Sequence, residues 1–103
     1  MKKYTIEWSN KARIDVMNHA AFLLNVSTEA ADCFVEKMKQ SIKLLETMPQ
    51  RFPIFEMTKT LANIEFRKCV VDGRYIVIYA VYSESVKIYR ILDSRKKFET
   101  LID

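Results

Sequence analysis

Apolar and polar residues alternate at the start of the chain and then recur with helical spacing. Residues 4–8 alternate, which predicts a strand with one buried face. Ser9 follows at the position of a helix N-cap. From Ala12 to Leu24 apolar residues return every three or four positions, so we expect an amphipathic helix that ends near Asn25.

A second helix start follows almost at once. Ser27-Thr28-Glu29 places a hydroxyl cap and an acidic side chain in the first turn. An apolar stripe then runs from Ala31 to Met48, and Pro49 is expected to end it. Because only a few residues connect the two helices, they are predicted to pack as an antiparallel hairpin.

The pattern changes to strands in the second half of the chain. Residues 49–63 hold both prolines and little periodicity, which predicts a loop with at most a short extended piece. Asp72-Gly73 favours a tight turn because both positions tolerate a positive φ. Three strand-like segments are joined by short turns and followed by a polar tail: Ile64–Val71, Tyr75–Tyr82, Val86–Leu92 and the tail Asp93–Asp103.

The order of these elements, β-α-α-β-β-β, predicts an α+β fold. The last three strands must form an antiparallel meander because their turns are short, and the first strand can add to an edge. We therefore expect an antiparallel β-sheet packed against an N-terminal helical hairpin, in a single domain spanning residues 1–103. Residues 75–81 are apolar on both faces, as expected of a central strand.

Composition narrows the classes of function. The 103 residues are 50% apolar, so a short chain can still bury a core, and the formal net charge of +4 indicates only a mild preference for an anionic partner. With a single glycine, a glycine-rich nucleotide-binding loop is excluded. No metal motif is present, so we expect neither a metal nor a cofactor.

Two cysteines and the absence of long apolar runs bear on the compartment. Cys33 and Cys69 stand alone, and we favour two reduced core thiols over a disulfide between them. Met1-Lys2-Lys3 leads directly into a strand pattern rather than a signal peptide, and no apolar run has the length that spans a bilayer. These features predict a cytoplasmic protein that does not insert into membranes.

Particular residues at the joints of this layout resemble the RelE/ParE superfamily of toxins. The resemblance covers nearly the whole chain and is carried by Tyr4-x-Ile6-x-Trp8-Ser9-x-x-Ala12, Ala30-Ala31, Met48-Pro49, Arg67, Tyr75-Ile76-Val77-Ile78-Tyr79 and Ile88-Tyr89-Arg90-Ile91-Leu92-x-x-Arg95. It implies the toxin of a type II toxin–antitoxin pair, held inactive by an antitoxin encoded beside it. RelE-like members cut messenger RNA on the ribosome, whereas ParE-like members poison DNA gyrase by binding it, and the fold alone does not choose between them.

The nuclease alternative depends on a cluster of basic residues and a tyrosine. Arg67 and Arg95 match basic positions of RelE-like enzymes and would be catalytic if the chain is an endoribonuclease. Ile76 stands where these enzymes carry a strand arginine, and Leu101 stands where they carry a tail tyrosine. His19 lies in the first helix, where we expect ordinary helix-surface duty.

The gyrase alternative needs contacts rather than chemistry, and we prefer it. The ending Arg90-Ile91-Leu92 with Arg95 beyond it resembles ParE, although Asp93-Ser94 replaces the usual His-Gly. The target-binding residues would be Arg67, Arg74, Arg90, Arg95 and Lys96. Any one of these residues is about as well explained by a surface position or an ion pair, for example Arg90 with Glu65 or Asp93.

A third hypothesis is a toxin fold that has lost activity and survives as an interaction module. In each case the partner implied most firmly is the antitoxin, whose disordered tail would fold across the groove beside the helical hairpin or add to the open sheet edge. A homodimer or a toxin–antitoxin hetero-oligomer is also expected, because the free toxin would expose apolar surface.

Overall fold

The computed structural model describes residues 2–56 and 64–95. They form a four-stranded sheet with two helices on one face. The elements are β1 (Thr5–Trp8), α1 (Asn10–Val26), α2 (Thr28–Thr47), a 3-10 turn (Pro49–Arg51), β2 (Arg67–Val71), β3 (Tyr75–Val81) and β4 (Ser85–Asp93). The predicted element order is therefore confirmed.

Serine caps begin both helices, as the sequence predicts. The Ser9 hydroxyl accepts a hydrogen bond from the backbone N–H of Ala12 at 3.0 Å, and the Ser27 hydroxyl accepts one from Ala30 at 3.0 Å. Each cap satisfies an amide that the first helical turn leaves unpaired. Helix α2 ends at Thr47, ahead of the buried Pro49, which begins the 3-10 turn.

The sheet is mixed, which corrects the expectation of a purely antiparallel sheet. Its strand order is β1-β4-β3-β2, and β1 pairs in parallel with β4 in a register that sets Thr5 opposite Ser85. The predicted meander of β2, β3 and β4 is antiparallel. A parallel pair needs a long connection, and the whole helical hairpin with two strands supplies it here. The turn between β2 and β3 has φ of 57° at Asp72 and 65° at Gly73, as predicted.

A β-bulge in β4 changes which face its side chains occupy. Tyr79 lies opposite Ile88 while Ile78 lies opposite Arg90, so Tyr89 is the extra residue. The strict two-residue alternation of a regular strand would place Leu92 on the same face as Val86 and Ile88, and the bulge prevents this. Past the bulge it is Ile91 that packs with Val86 and Ile88 against the helices, and Leu92 joins the opposite face.

Both faces of the sheet carry apolar clusters. The larger lies between the sheet and the helices and contains Phe34, Met38 and Leu45 of α2. The smaller, on the other face, centres on Phe66 and Ile78, with the half-buried Phe55 and Ile64 beside it. This arrangement confirms that β3 is a central strand with two buried faces.

The connection between α2 and β2 contacts β2 through one isolated bridge and does not lengthen the strand. Ile54 forms an isolated antiparallel bridge with Arg67, and β2 begins there rather than at Ile64. The tail beyond Arg95 lies outside the described residues. No helix in ranges 2–56 and 64–95 combines the length and apolarity needed to cross a bilayer.

Candidate functional site

The β2–β3 turn and the end of β4 meet at one edge of the sheet, which we call the turn end (residues 72–75 and 93–95). Tyr75 lies opposite Asp93 in the β3–β4 register, and the backbone N–H of Ser94 donates to the carbonyl of Arg74 at 2.7 Å. Arg95 clamps Asp93: its Nε lies 3.1 Å from Oδ1 and its Nη2 lies 2.9 Å from Oδ2. Such a two-pronged contact fixes the direction of the guanidinium.

Charge at the turn end is positive at the surface and negative beneath it. The Asp93 side chain is 7% exposed, whereas that of Arg95 is 61% exposed. The hydrogen bond from the Arg95 side chain holds the pKa of the Asp93 carboxyl far below its usual range. Asp93 therefore stays ionised at neutral pH and keeps the Arg95 guanidinium in place at the surface.

Arg74 lies beside this clamp and packs on the Tyr75 ring. Its guanidinium lies over the Tyr75 ring, 5.4 Å from the ring centre. The Nε atom of Arg74 is buried and has no hydrogen-bond partner within the described part of the chain. Arg74 and Arg95 thus place two positive charges at the turn end, and Arg95 is the more exposed of the two.

Helix α2 reaches the turn end through one ion pair. The Lys37 ammonium lies 2.7 Å from Oδ1 of Asp72, and this hydrogen bond raises the pKa of Lys37. A small cavity of about 180 Å³ lies between the helix and the turn. Cys33 of α2 and Arg74 of the turn are among its lining residues, so the basic edge is also indented.

His19 of α1 packs behind the turn end, against β4 and the Tyr75 ring. Its Nε2 lies 2.8 Å from the carbonyl oxygen of Ile91, so the ring must carry its proton on Nε2 and donate it. The ring also packs against Tyr75, with the centroids 4.9 Å apart. This is a structural position rather than the ordinary helix-surface one that we expected.

Arg67 lies at the other end of the sheet, which we call the loop end (residues 49–53, Arg67 and Tyr79). Its Nη1 donates to the carbonyl of Phe52 at 2.7 Å and to that of Gln50 at 3.3 Å, and Nη2 contacts Glu65 at 3.4 Å. With a side chain that is 18% exposed, Arg67 holds the connection after α2 against β2.

Arg90 is held at the edge of β4 by α1. Its Nε donates to Oδ2 of Asp15 at 2.7 Å, and its Nη2 donates to Oδ1 at 3.1 Å. The same carboxylate accepts the backbone N–H of Ile91 at 2.9 Å, beyond the point where β1 ends. Among the described residues the carboxylate partner of Arg90 is Asp15, so the expected pairing with Glu65 or Asp93 is wrong.

The predicted site residues therefore lie in three places: the turn end, the loop end, and the part of β4 that extends beyond the end of β1. Arg74 and Arg95 lie together at the turn end, while Arg67 pairs with Tyr79, four residues along β3 from Tyr75, or about 13 Å. Lys96 lies outside the described residues. Asp15 and Lys37 were not predicted as partners at all. The only signal for Asp15 is its place one helical turn before His19, on the side of α1 that faces the sheet.

A larger apolar groove lies beside the helical hairpin. It has a volume of about 430 Å³ and is floored by Trp8 of β1, Val16 of α1 and three apolar residues of α2 (Phe34, Met38, Ile42). Lys39 and Lys43, one turn apart on α2, stand at its rim. Its position matches the groove that the sequence predicts beside the hairpin.

The two cysteines lie in different environments. Both thiols are free, but Cys33 lies at the surface, so only Cys69 is the predicted core thiol. Burial raises the pKa of Cys69. In the part of the chain that the structure describes, no group of three or more His, Cys, Asp and Glu residues is placed to hold a metal ion.

Comparisons with known proteins place this fold in a family. No curated protein matches the chain in sequence. A solved structure described as "Chromosomal ParDE TA system from P. aeruginosa" superposes with a TM-score of 0.66 at 15% identity, covering 88% of this chain and 96% of that one. The family described as "ParE toxin of type II toxin-antitoxin system, parDE" matches residues 6–98. The chain therefore belongs to the ParE toxin family of type II toxin–antitoxin systems.

Proposed function

We propose that this chain is a growth-inhibiting toxin that binds DNA gyrase through its turn end and is neutralised by a cognate antitoxin. The observation that carries the proposal, beyond family membership, is the pair of cations Arg74 and Arg95. Arg95 is exposed and held in one orientation by Asp93, and the half-buried Arg74 adds a second positive charge beside it. A preoriented guanidinium pair suits a carboxylate or phosphate of a protein–DNA target, because each fork can bind two oxygens.

The geometry gives less support to RNA cleavage. A nuclease of the RelE kind needs its basic groups around one phosphate. Arg67 and Arg95 lie at opposite ends of the sheet, and the Arg67 guanidinium already donates to two loop carbonyls. Ile76, at the strand position where RelE-like enzymes carry arginine, packs in the smaller apolar cluster. We therefore retain gyrase as the target and treat ribosome-dependent cleavage as an outcome of the test.

The antitoxin is assigned to the apolar groove. A folding-on-binding segment gains affinity by burying apolar side chains, and this groove offers Trp8, Phe34 and Met38. The rim lysines, Lys39 and Lys43, would favour acidic residues on that segment. The superposed ParDE structure supports a partner of this kind for the present chain.

The test is induction of the chain in cells that lack its antitoxin. Messenger RNA 5′ ends are mapped, and plasmid supercoiling is measured in the same culture. We expect growth arrest, intact messages and loss of negative supercoiling. Ribosome-dependent cuts would overturn the gyrase proposal in favour of a nuclease, and unaffected growth would indicate an inactive interaction module.

A pair of variants ties the outcome to the turn end. Arg74→Ala removes a cation from the proposed binding edge, whereas Lys3→Ala removes one from a side chain that is 71% exposed and contacts Glu46 far from that edge. We expect Arg74→Ala to weaken growth arrest and Lys3→Ala to leave it unchanged. Equal arrest by the two variants would contradict the assigned surface.

A further inference from the structure

The outer face of α1 is apolar although it lies at the surface. Ile14, Met17 and Leu24 are 53%, 69% and 58% exposed. A helix at the surface of a monomer normally places charged residues on this face. Between Ile14 and Thr28 the only ionisable residues are Asp15 and His19, and both bond to β4 instead.

The apolar residues on this face follow a heptad spacing. Ile14, Met17, Ala21 and Leu24 are separated by three, four and three residues, which is the seam spacing of paired helices. The face lies on the opposite side of α1 from Val16, which lines the antitoxin groove. It is therefore a second surface, distinct from that groove.

This set of apolar residues can also pack against the same set in a second, antiparallel copy of α1. When two copies of α1 cross near residue 19, Ile14 lies opposite Leu24 of the second copy and the large Met17 lies opposite the small Ala21. Alternation of large and small side chains is what lets two helices approach closely. A two-fold axis repeats both contacts, so one seam satisfies both chains.

Charge at the two ends of α1 favours the same arrangement. The first turn of α1 contains no acidic residue, and its last turn contains no basic residue, the reverse of what an isolated helix prefers. Arg13 lies near the N-terminal end, and Glu29 follows the C-terminal end. An antiparallel second copy places Arg13 next to the negative end of the partner helix and its Glu29.

We infer that two copies of this chain associate through an antiparallel pairing of their α1 helices about a two-fold axis near residue 19. This inference goes beyond the proposed function, and its readout does not depend on which target the toxin binds. The antitoxin groove and the turn end both stay open in such a dimer, because neither uses the outer face of α1.

Sedimentation equilibrium of the full chain, refolded after removal of its antitoxin, tests the pairing. We expect a mass twice the 12.2 kDa of one chain. Met17→Lys should raise the dimer dissociation constant by roughly a hundredfold, because the seam must then bury two lysines. Val70→Lys, at an exposed apolar position of β2, is the matched control and should remain dimeric. Circular dichroism should show unchanged helicity in both variants.

Three outcomes of that experiment overturn the inference. One is a monomeric wild-type chain at high concentration. Another is a Met17→Lys chain that dimerises as tightly as the wild type. The third is a Met17→Lys chain that no longer binds its antitoxin, which would assign the face to the antitoxin.

Oxidative cross-linking tests the direction of the pair. In a Cys33→Ser background, which removes the exposed native thiol, chains carrying Ile14→Cys are mixed with chains carrying Leu24→Cys. The antiparallel register predicts a disulfide between the two different chains. Cross-links of each variant only with itself would indicate a parallel pair and contradict the inference.

Discussion

The two ends of the sheet use the same residue types for different purposes. At the loop end, Arg67 and Tyr79 donate to three backbone carbonyls, those of Pro49, Gln50 and Phe52. At the turn end, within the described residues, the side chain of Arg95 pairs with the carboxylate of Asp93 and is 61% exposed, and Arg74 packs on the Tyr75 ring. Arginine at the loop end supports the backbone of the connection after α2, whereas the exposed Arg95 remains accessible to a second molecule.

This difference follows from what surrounds each guanidinium. The described start of the connection after α2 has little regular structure beyond a single 3-10 turn and one β-bridge, so the carbonyls of Pro49, Gln50 and Phe52 take side-chain donors. The β2–β3 turn and the end of β4 satisfy their backbone through the sheet and through the Ser94–Arg74 contact. Charge alone therefore does not identify a binding residue; the exposure of the guanidinium does, and the Arg95 side chain is 61% exposed whereas that of Arg67 is 18% exposed.

The largest expected effect is at the loop end. Arg67→Ala leaves two carbonyls without a donor and should lower the free energy of unfolding by about 2–3 kcal/mol. Urea unfolding followed by circular dichroism measures this loss. Arg67→Lys, which keeps the positive charge but lacks the branched guanidinium, should recover only part of the lost free energy of unfolding. A loss within about 0.5 kcal/mol of zero would contradict the structural role of Arg67.

A smaller loss is expected for the second donor of the loop end. The Tyr79 hydroxyl donates to the Pro49 carbonyl at 2.6 Å, and burial raises the pKa of Tyr79 well above its usual value. Tyr79→Phe should lower the free energy of unfolding by about 1–2 kcal/mol in the same urea experiment. Tyr82→Phe is the control for loss of an exposed hydroxyl, whose contact is with the Tyr89 hydroxyl at the surface. Equal stabilities of these two variants would show that the Pro49 contact contributes nothing.

At the turn end, the ion pair of Asp93 with Arg95 should make the stability of the chain depend on pH in the acid range. The pKa of Asp93 is lower in the folded chain than in the unfolded one, so its contribution to stability is present above about pH 4 and is lost as the pH falls below that value. Because Arg95 is largely exposed, the contribution should stay below about 1 kcal/mol. Urea midpoints from pH 7 to pH 2 measure it. If the urea midpoint of Asp93→Asn fell with pH as steeply as that of the wild type, this role of Asp93 would be contradicted.

The smallest effect on stability is expected at Arg74. Its Nε makes no hydrogen bond within the described residues, so Arg74→Ala should change the free energy of unfolding by less than about 0.5 kcal/mol. The same substitution should nevertheless weaken growth arrest. A large loss of stability would place Arg74 with the structural arginines and remove the contrast between the two ends.

Much of the fold can be predicted from local patterns. The caps Ser9 and Ser27 and the Asp72-Gly73 turn each act through neighbouring residues, and the structure confirms all three. The parallel pairing of β1 depends on a distant strand. The bulge at Tyr89 breaks the two-residue period that a sequence pattern assumes, and so reverses the face of Leu92.

The candidate site was harder to predict because its meaning depends on partners. Arg67, Arg90 and Arg95 resemble one another in sequence. Their roles differ only because loop carbonyls, Asp15 and Asp93 respectively lie beside them in the folded chain. Two of these partnerships join residues far apart in the sequence, which no local pattern encodes.

Supercoiling by purified DNA gyrase in the presence of the antitoxin-free chain tests the central claim most directly. The turn-end variant combines Arg74→Ala with Arg95→Gln, which keeps a donor for Asp93 without the charge. The control, Lys3→Ala with Lys87→Ala, removes the same net charge elsewhere. We predict inhibition by the wild type and the control, and at least a roughly tenfold higher inhibitory concentration for the turn-end variant. No inhibition by the wild type, or equal inhibition by the two variants, would contradict the account.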